Sequence, residues 1–310
     1  MEGQPGLYKR RTGKYMKALK ILWQFSRPHT IIGSVCSITA LYIIACNGNN
    51  LLQHAGLYAA TLIAALGCNI FITGINQMAD VEMDKINKPY LPLAAGTLSK
   101  KNAKAIVLIS LVIALLFSFI ASLFYFFLII IILLIGIAYS LPPLYLKQHH
   151  LPAALSITLV RGLLVNVGIF LHFQHQIHGT YQIPGHVWCL ALFIMAFSIA
   201  IAWFKDLPDT EGDEKFHVQT LAVLYSKKNA LTGGTLLVGL AYAAVLVWSF
   251  FYAIKDPWYL IITHGLLFVF FLLNYFSVQL KDKRSIKKFY LRFWVFFFAE
   301  YILFSAWVML

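Results

Sequence analysis

Charge is scarce in this chain. Only 12% of its 310 residues are charged and only 12 are acidic, whereas 60% are hydrophobic and the mean hydropathy is +0.74. Soluble globular domains usually carry about one charged residue in four. The composition therefore excludes a soluble domain and predicts an all-α integral membrane protein.

Cysteines are few, and targeting signals are not evident. The four cysteines, Cys36, Cys46, Cys68 and Cys189, lie in or beside apolar stretches without a CxxC spacing, which indicates neither a disulfide framework nor a zinc site. The first 20 residues are polar and basic without the apolar core of a signal peptide, and they contain Glu2 but no serine, unlike a transit peptide. A bacterial inner membrane is therefore predicted, with a plastid membrane less favoured.

Long apolar runs fill most of the sequence. A helix of about 20 apolar residues crosses a bilayer, and the runs divide into nine such spans. These cover residues 28–47, 56–78, 102–121, 123–141, 151–171, 186–204, 229–253, 257–278 and 288–308.

The formal net charge is +13, but its distribution follows a membrane topology and does not indicate a nucleic-acid surface. With nine spans, 23 of the 25 Lys and Arg residues fall on one side, leaving Lys255 opposite and Arg161 inside a span. The positive-inside rule then places the amino terminus in the cytoplasm and the carboxyl terminus outside. Residues 1–27 are predicted to form a basic cytoplasmic segment with an interfacial amphipathic helix, and residues 28–310 the transmembrane domain.

Two short stretches hold eight of the 12 acidic residues. In the first, Asn76, Asp80 and Asp84 are spaced four apart, which places them on one face of a helix. In the second, Asp209 and Asp213 repeat the interval, although a neighbouring proline and glycine leave both a helix and an extended turn open. Because four spans separate the stretches, both must emerge on the same side of the membrane.

Facing carboxylates predict a bound cation. They would repel one another unless a divalent ion sat between them, and ligands that are all oxygen suit Mg²⁺, which prefers few carboxylates together with substrate phosphates. The predicted metal ligands are Asn76, Asp80, Asp84, Asp209 and Asp213. The alternative of ordinary solvated charges applies to Glu82, Glu211 and Glu214.

A polyanion bound through a metal also needs direct cations. The basic residues nearest to the two stretches, in sequence or by side, are Arg27, Lys85, Lys88, Lys147 and Lys205. Arg161 differs because it lies inside a span, where an uncompensated arginine costs on the order of 2.5–3.5 kcal/mol. It is predicted either to bind a phosphate or to pair with a carboxylate, the options being Asp206, Asp209 and Glu300.

Three histidines, His172, His175 and His178, recur at intervals of three on the predicted outer side. On a helix, two of them could present ligands to a metal. The alternative is a wet outer loop, in which His186 would also lie.

These motifs resemble one family. The pattern Asn76-x3-Asp80-x3-Asp84, the pattern Asp209-x3-Asp213 and the nine spans are similar to those of the intramembrane aromatic prenyltransferases, the UbiA superfamily. The resemblance covers nearly the whole chain after Lys20. Shorter runs resemble the homogentisate prenyltransferases of tocopherol and plastoquinone synthesis: residues 25–30, residues 84–94, Tyr139-Ser140-x-Pro142-Pro143, Val160-Arg161-Gly162 and residues 205–213.

The resemblance implies about nine helices around a central cavity open to the cytoplasmic side. It also implies Mg²⁺-dependent transfer of a phytyl, geranylgeranyl or longer polyprenyl group from its diphosphate to an aromatic acceptor, homogentisate, which loses carbon dioxide. The implied catalytic residues are Asp80, Asp84, Asp209, Asp213 and Tyr139, and the implied substrate-binding residues are Asn76, Arg27, Lys88, Lys147, Arg161, Lys205 and Asp206. Aromatic faces for the allylic cation would come from Trp203, Phe204 and Tyr139.

The sequence leaves two kinds of alternative open. Within the superfamily, the acceptor could be 4-hydroxybenzoate, dihydroxynaphthoate, chlorophyllide or a glycerol phosphate lipid. From a different class, the aspartates could line the path of a cation transporter. A transporter more naturally places such carboxylates near the midplane of the membrane, whereas these follow the ends of spans, which favours chemistry on a phosphate.

Overall fold

The structure is a computed structural model that describes residues 16–253 and 256–310. Its helices are α1 (residues 16–25), α2 (Pro28–Ala45), α3 (Ala55–Ala79), α4 (Val81–Asn87), α5 (Lys100–Ala121), α6 (Leu123–Ser140), α7 (His150–Ile157), α8 (Phe170–His178), α9 (Gly185–Phe204), α10 (Thr210–Lys215), α11 (Leu221–Leu224), α12 (Lys227–Tyr252), α13 (Pro257–Phe276) and α14 (Lys283–Met309). A π-helical segment, Thr158–Ile169, joins α7 to α8.

The predicted all-α membrane architecture is confirmed. Within the two described ranges, nine helical spans are long and apolar enough to cross a membrane. The largest difference from the predicted bounds is in the fifth span, which continues to His178 instead of residue 171. The chain is a multi-pass membrane protein.

Local sequence signals set many of the helix ends. Pro28 lies in the first turn of α2, where its missing N–H costs nothing. The side chains of Ser99, Ser122 and Ser226 cap α5, α6 and α12 by accepting a hydrogen bond from the backbone N–H three residues on. A proline pair follows α6 and prevents its continuation.

The spans close into a ring. α2 packs on α3, α3 on α5 and α6, the π-helical segment on α6 and α9, α9 on α12, and α12 on α13. α14 completes the ring because it packs on both α13 and α2. The ring encloses a cavity of about 180 Å³, whose wall comes from α2, α3, α6, the π-helical segment and α14.

Glu300 has a partner inside the bundle. Its Oε2 lies 2.9 Å from His264 Nε2, and both side chains are fully buried. Among the described residues, no ion pair joins Glu300 to Arg161. The predicted alternative that Arg161 is neutralised by an acidic side chain is therefore wrong.

The expectation of a wet outer loop for the histidines is also wrong. All three lie in α8, and His172 is buried, with its ring nitrogens 3.0 Å from Thr61 Oγ1 and 2.9 Å from Ser122 Oγ. His172 therefore ties α8 to α3 and α6, which explains why the helix continues into this polar stretch. In the described residues, no group of three His, Cys, Asp or Glu side chains is placed to hold a metal.

The predicted amphipathic helix of the basic segment lies partly outside the described residues. Residues 16–25 are helical, and Met16, Leu19 and Trp23 expose their side chains. The interfacial position of this helix stays a prediction.

Candidate active site

The first acidic stretch keeps its helical repeat across the junction of α3 and α4. Asp80 N–H donates to the Asn76 carbonyl at 3.1 Å, and Asp84 N–H donates to the Asp80 carbonyl at 2.7 Å. Asn76, Asp80 and Asp84 therefore follow one another at successive turns, as predicted. Asp80 and Asp84 are both buried.

The second stretch is helical too, which settles the choice between a helix and an extended turn. Asp209 is the residue before α10, and Asp213 N–H donates to the Asp209 carbonyl at 3.1 Å. Both carboxylates are buried. Glu211 lies between them and is exposed, so of these three carboxylates only the two that the spacing selects are buried.

The two stretches are in direct contact, which is consistent with the same-side placement that an even number of intervening spans requires. Lys88, just after α4, forms an ion pair with Asp209. Asn87 Nδ2 donates to Asp213 Oδ1 at 3.2 Å, and Asn87 Oδ1 accepts from Gly212 N–H at 3.0 Å. Asn87 was not among the predicted site residues, although it lies within the run 84–94 and one helical turn after Asp84.

A glycine makes this contact possible. A Cβ atom at Gly212 would lie 2.6 Å from Asn87 Cγ, closer than a real Cβ approaches. We expect Gly212→Ala to push α10 away from α4 and to lower kcat/KM roughly tenfold or more, since misplacement of about 1 Å costs this much or more. Gly265→Ala is the matched control, because nothing lies within 4 Å of its Cβ position. Equal activity of the two variants in a prenyl-transfer assay would contradict the close approach.

Cations border the acidic stretches. Lys147 is buried and its Nζ lies 2.5 Å from Asp80 Oδ1. Lys205 Nζ donates to Tyr139 Oη at 2.7 Å and lies 3.5 Å from Asp206 Oδ1. Each of these lysines was selected from the sequence.

Arg27 completes this group from the start of α2. Its Nη2 donates to Asn76 Oδ1 at 3.3 Å, and its backbone φ of 53° lies in the left-handed region that few side chains adopt. Asn76 Nδ2 in turn donates to Ser140 Oγ at 3.4 Å. The amide oxygen predicted as a metal ligand is therefore directed to Arg27.

Comparison with known proteins identifies the fold and its family. The profile of the UbiA prenyltransferase family matches residues 34–299. The chain belongs to the UbiA prenyltransferase family. Curated relatives span most of the chain: it is 39% identical to a homogentisate phytyltransferase of Synechocystis over 93% of this chain and 96% of that protein, and 36% identical to the chloroplastic homogentisate solanesyltransferase of Arabidopsis thaliana over 91% of this chain and 75% of that protein.

Solved UbiA structures share the fold. A UbiA homolog from Aeropyrum pernix matches with a TM-score of 0.66 at 17% identity, covering 89% of this chain and 96% of that one. A UbiA homolog from Archaeoglobus fulgidus, bound to GPP and Mg²⁺, matches with a TM-score of 0.62 at 17% identity, covering 92% of this chain and 99% of that one. These likenesses support the nine-helix architecture.

The electrostatics of this UbiA site favour a further cation. Burial raises the pKa of Asp213 to about 8, with the carboxylates of Asp206 and Asp209 adding to the effect. Burial also raises the pKa of Asp84. For Lys88, burial opposes the charged form, but the attraction of Asp209 and Asp84 outweighs it and raises the pKa above its usual value. Burial therefore disfavours the charged forms of these two carboxylates by more than the neighbouring lysines offset.

The donor types suit Mg²⁺, although within the described residues no three of the carboxylates are placed to hold one ion. Lys147 and Lys88 each hold one carboxylate, whereas Asp84 takes part in no ion pair of the described residues. Asp213 Oδ2 is buried without a hydrogen-bond partner. A divalent cation bound at either aspartate would supply the missing charge partner, and carboxylate oxygen is the ligand that Mg²⁺ prefers.

Three predicted residues lie apart from this cluster. Phe204 is fully buried against Phe289 and Phe293, and its neighbour Trp203 faces Gly233 of α12, so neither lines the cavity. Arg161 lines the cavity but stands alone in the middle of a span. Tyr139, by contrast, stands beside Lys205 as described above.

Proposed function

We propose that this chain catalyses Mg²⁺-dependent transfer of a polyprenyl group from its diphosphate to homogentisate, with loss of carbon dioxide, in prenylquinone or tocopherol biosynthesis. The observation that carries the proposal is the contact between the two acidic stretches, bordered by lysines at the polar end of an apolar cavity. The names of the curated relatives, homogentisate phytyltransferase and solanesyltransferase, support the acceptor.

The acidic stretches and their cations suit a diphosphate. Mg²⁺, when bound, supplies Lewis-acid stabilisation of the charge that develops on the departing diphosphate. Asp80, Asp84, Asp209 and Asp213 would hold the ion. Lys88, Lys147, Lys205 and Arg27 would neutralise the phosphate oxygens directly, and Tyr139 would donate a hydrogen bond to one of them.

The cavity continues the site into an apolar part of the bundle. It begins one helical turn from the site, because Thr73 precedes Asn76 on α3 and Thr30 follows Arg27 on α2. Beyond these residues its wall is largely apolar, with Ile38, Ile129 and Ile132 among its lining. An apolar segment of the prenyl chain can lie against this wall, because removal of apolar surface from water is favourable.

The proposed reaction balances without an external oxidant. The bond from the prenyl C1 to oxygen breaks, and its electron pair leaves with the diphosphate. A ring carbon of the acceptor bonds to C1 and releases its proton. The bond from the side-chain methylene to the carboxylate breaks, carbon dioxide departs, and the methylene carbon takes up a proton.

Other acceptors of the family are 4-hydroxybenzoate, dihydroxynaphthoate, chlorophyllide and glycerol phosphate lipids, and the relatives named above favour homogentisate over them. A cation transporter is disfavoured by the family of the chain. The position of the aspartates after the spans also disfavours it, because a transporter binds its ion near the midplane.

The distribution of basic residues supports an orientation with the site and the amino terminus facing the cytoplasm. The inner membrane of a bacterium is the proposed location. Labelling of thiols introduced beside Glu82 and Glu211, in sealed vesicles of known orientation, would measure which side the site faces.

The substrate assignment is tested by a matrix of acceptors and donors. We expect membranes containing the chain, supplied with Mg²⁺, to convert homogentisate with phytyl, geranylgeranyl or solanesyl diphosphate. Product identity by mass spectrometry should show the added prenyl group and the loss of carbon dioxide. If only 4-hydroxybenzoate or dihydroxynaphthoate is converted, the proposed acceptor homogentisate is wrong.

A further inference from the structure

Arg161 carries a charge that no carboxylate of the described residues balances. It forms no ion pair with them, and its guanidinium takes part in no side-chain hydrogen bond of the described cavity wall. The described residues that line its cavity include no Asp or Glu. An arginine in the middle of a membrane span is costly unless it meets an anion or water. The cavity is therefore built around an unpaired cation.

Aromatic side chains support the guanidinium from one side. Its central carbon lies 4.7 Å from the ring centre of Trp294 and 5.8 Å from that of Phe297, both on α14. Stacking on an aromatic face fixes the plane of an arginine and leaves its N–H edge free. That edge is the group that binds a carboxylate through two parallel hydrogen bonds.

The backbone around Arg161 is held in place for this purpose. Arg161 lies in the π-helical segment, whose wider turns leave carbonyls to be satisfied. Asn166 Nδ2 donates to the carbonyls of Arg161 and Gly162, both at 2.8 Å, and Tyr301 Oη donates to Asn166 Oδ1 at 2.9 Å. Asn166 and Tyr301 are therefore positioning residues for Arg161.

The backbone of Arg161 is offset along the bundle from the cations of the diphosphate site. A Cβ at Gly162 would meet Met195 of α9, and Met195 lies ten residues, roughly 15 Å of helix, before Lys205. The backbone of Arg161 is thus deeper in the bundle than the lysine. The diphosphate already has Arg27, Lys88, Lys147 and Lys205 near the aspartates.

We propose that Arg161 binds the carboxylate of the aromatic acceptor, and so fixes which ring carbon faces the prenyl C1. This inference rests on the proposed function, because the proposed acceptor is an aromatic acid with a carboxylate to bind. The wall of the same cavity carries hydroxyl and amide groups, Thr30, Ser34 and Asn69, that can meet the hydroxyls of a dihydroxyphenyl ring. Arg161 is accordingly a specificity-determining residue that rejects uncharged acceptors.

The test compares an acid with its ester at equilibrium. Purified protein in lipid nanodiscs, with Mg²⁺ and geranylgeranyl thiolodiphosphate as an unreactive donor, is titrated with homogentisate and with homogentisate methyl ester. We expect the wild type to bind the acid at least roughly tenfold more tightly, and Arg161→Gln to lower affinity for the acid roughly tenfold to a hundredfold while changing affinity for the ester less than threefold. The affinity of Arg161→Lys for the acid should lie between those of wild type and Arg161→Gln, because lysine keeps the charge but cannot form two parallel hydrogen bonds to a carboxylate.

Two controls keep the outcomes distinct. Arg292→Gln makes the same substitution at an exposed arginine of α14 and should leave both affinities unchanged. The affinity of each variant for the thiolodiphosphate should stay within twofold of wild type, which also reports that the site is folded. Loss of donor affinity in Arg161→Gln with an unchanged ratio of acid to ester would assign Arg161 to the diphosphate and overturn the proposal, as would unchanged binding of all ligands.

The same titration separates this inference from the proposed function. If the wild type binds no homogentisate but binds 4-hydroxybenzoate or dihydroxynaphthoate, the proposed acceptor is wrong. The role of Arg161 then stands if Arg161→Gln selectively loses that acid over its methyl ester. Binding of no aromatic acid by the wild type would overturn both.

Discussion

Alanine in place of Asp80 or Asp209 should abolish prenyl transfer, with kcat/KM reduced at least roughly a thousandfold. Each residue is the first buried carboxylate of its stretch and is paired with a lysine, Lys147 and Lys88 respectively. Removing either carboxylate takes away a ligand for the divalent ion and leaves a lysine without its partner. The measurement is the initial rate with homogentisate and geranylgeranyl diphosphate at saturating Mg²⁺.

Each stretch provides its own control. Glu82 lies between Asp80 and Asp84 but is exposed and pairs with Lys85, and Glu211 lies between Asp209 and Asp213 but is exposed and pairs with Lys283. We expect Glu82→Gln and Glu211→Gln to keep near wild-type rates, because solvent screens exposed ion pairs and they contribute little.

A conservative variant separates chemistry from folding. Asp80→Asn retains the size of the side chain and should still lose activity, since an amide does not carry the ligand charge. Thermal unfolding, followed by tryptophan fluorescence, should show this variant folded at the assay temperature. Full activity in both Asp80→Ala and Asp209→Ala would refute the metal assignment.

The sequence contains enough to predict the spans and the meeting of the acidic stretches. Apolar runs of bilayer length determine the helices, and an even number of spans between Asp80 and Asp209 forces both to one side. Neither conclusion needs tertiary detail. The structure confirms both, with Lys88 joining the two stretches.

The choice of partners could not be predicted, because it depends on packing between distant helices. Lys147 and Lys88 looked equivalent in the sequence, yet one pairs with Asp80 and the other with Asp209. The need for charge compensation predicts a carboxylate partner for Arg161, whereas the structure stacks it on two rings of α14. Several spans are rich in aromatic residues, so the sequence does not indicate that α14 supplies these rings.

The burial of His172 could not be predicted from the sequence either. Its polar side chain at the end of a span indicated a wet loop, whereas hydroxyls of Thr61 and Ser122 satisfy it inside the bundle. A polar residue is compatible with burial whenever distant partners supply its hydrogen bonds. Only the three-dimensional arrangement reveals those partners.

Removal of divalent metal should stop turnover completely. Lys88 and Lys147 each pair with one of the four buried aspartates, so without the ion the diphosphate loses the cation that would join it to these carboxylates, and we expect the donor to bind weakly. Excess EDTA should therefore reduce the rate to background, and Mg²⁺ in excess over EDTA should restore it.

Calorimetry gives a readout that is independent of turnover. Mg²⁺ should bind to the wild type in the presence of geranylgeranyl thiolodiphosphate. Asp209→Asn should weaken that binding roughly tenfold or more, since the loss of one charged ligand is worth at least about 1.4 kcal/mol. Glu211→Gln should titrate like wild type, because its carboxylate faces solvent and pairs with Lys283. Turnover that persists in EDTA would mean that the lysines and Arg27 alone stabilise the departing diphosphate, and the buried aspartates would then serve to position those cations.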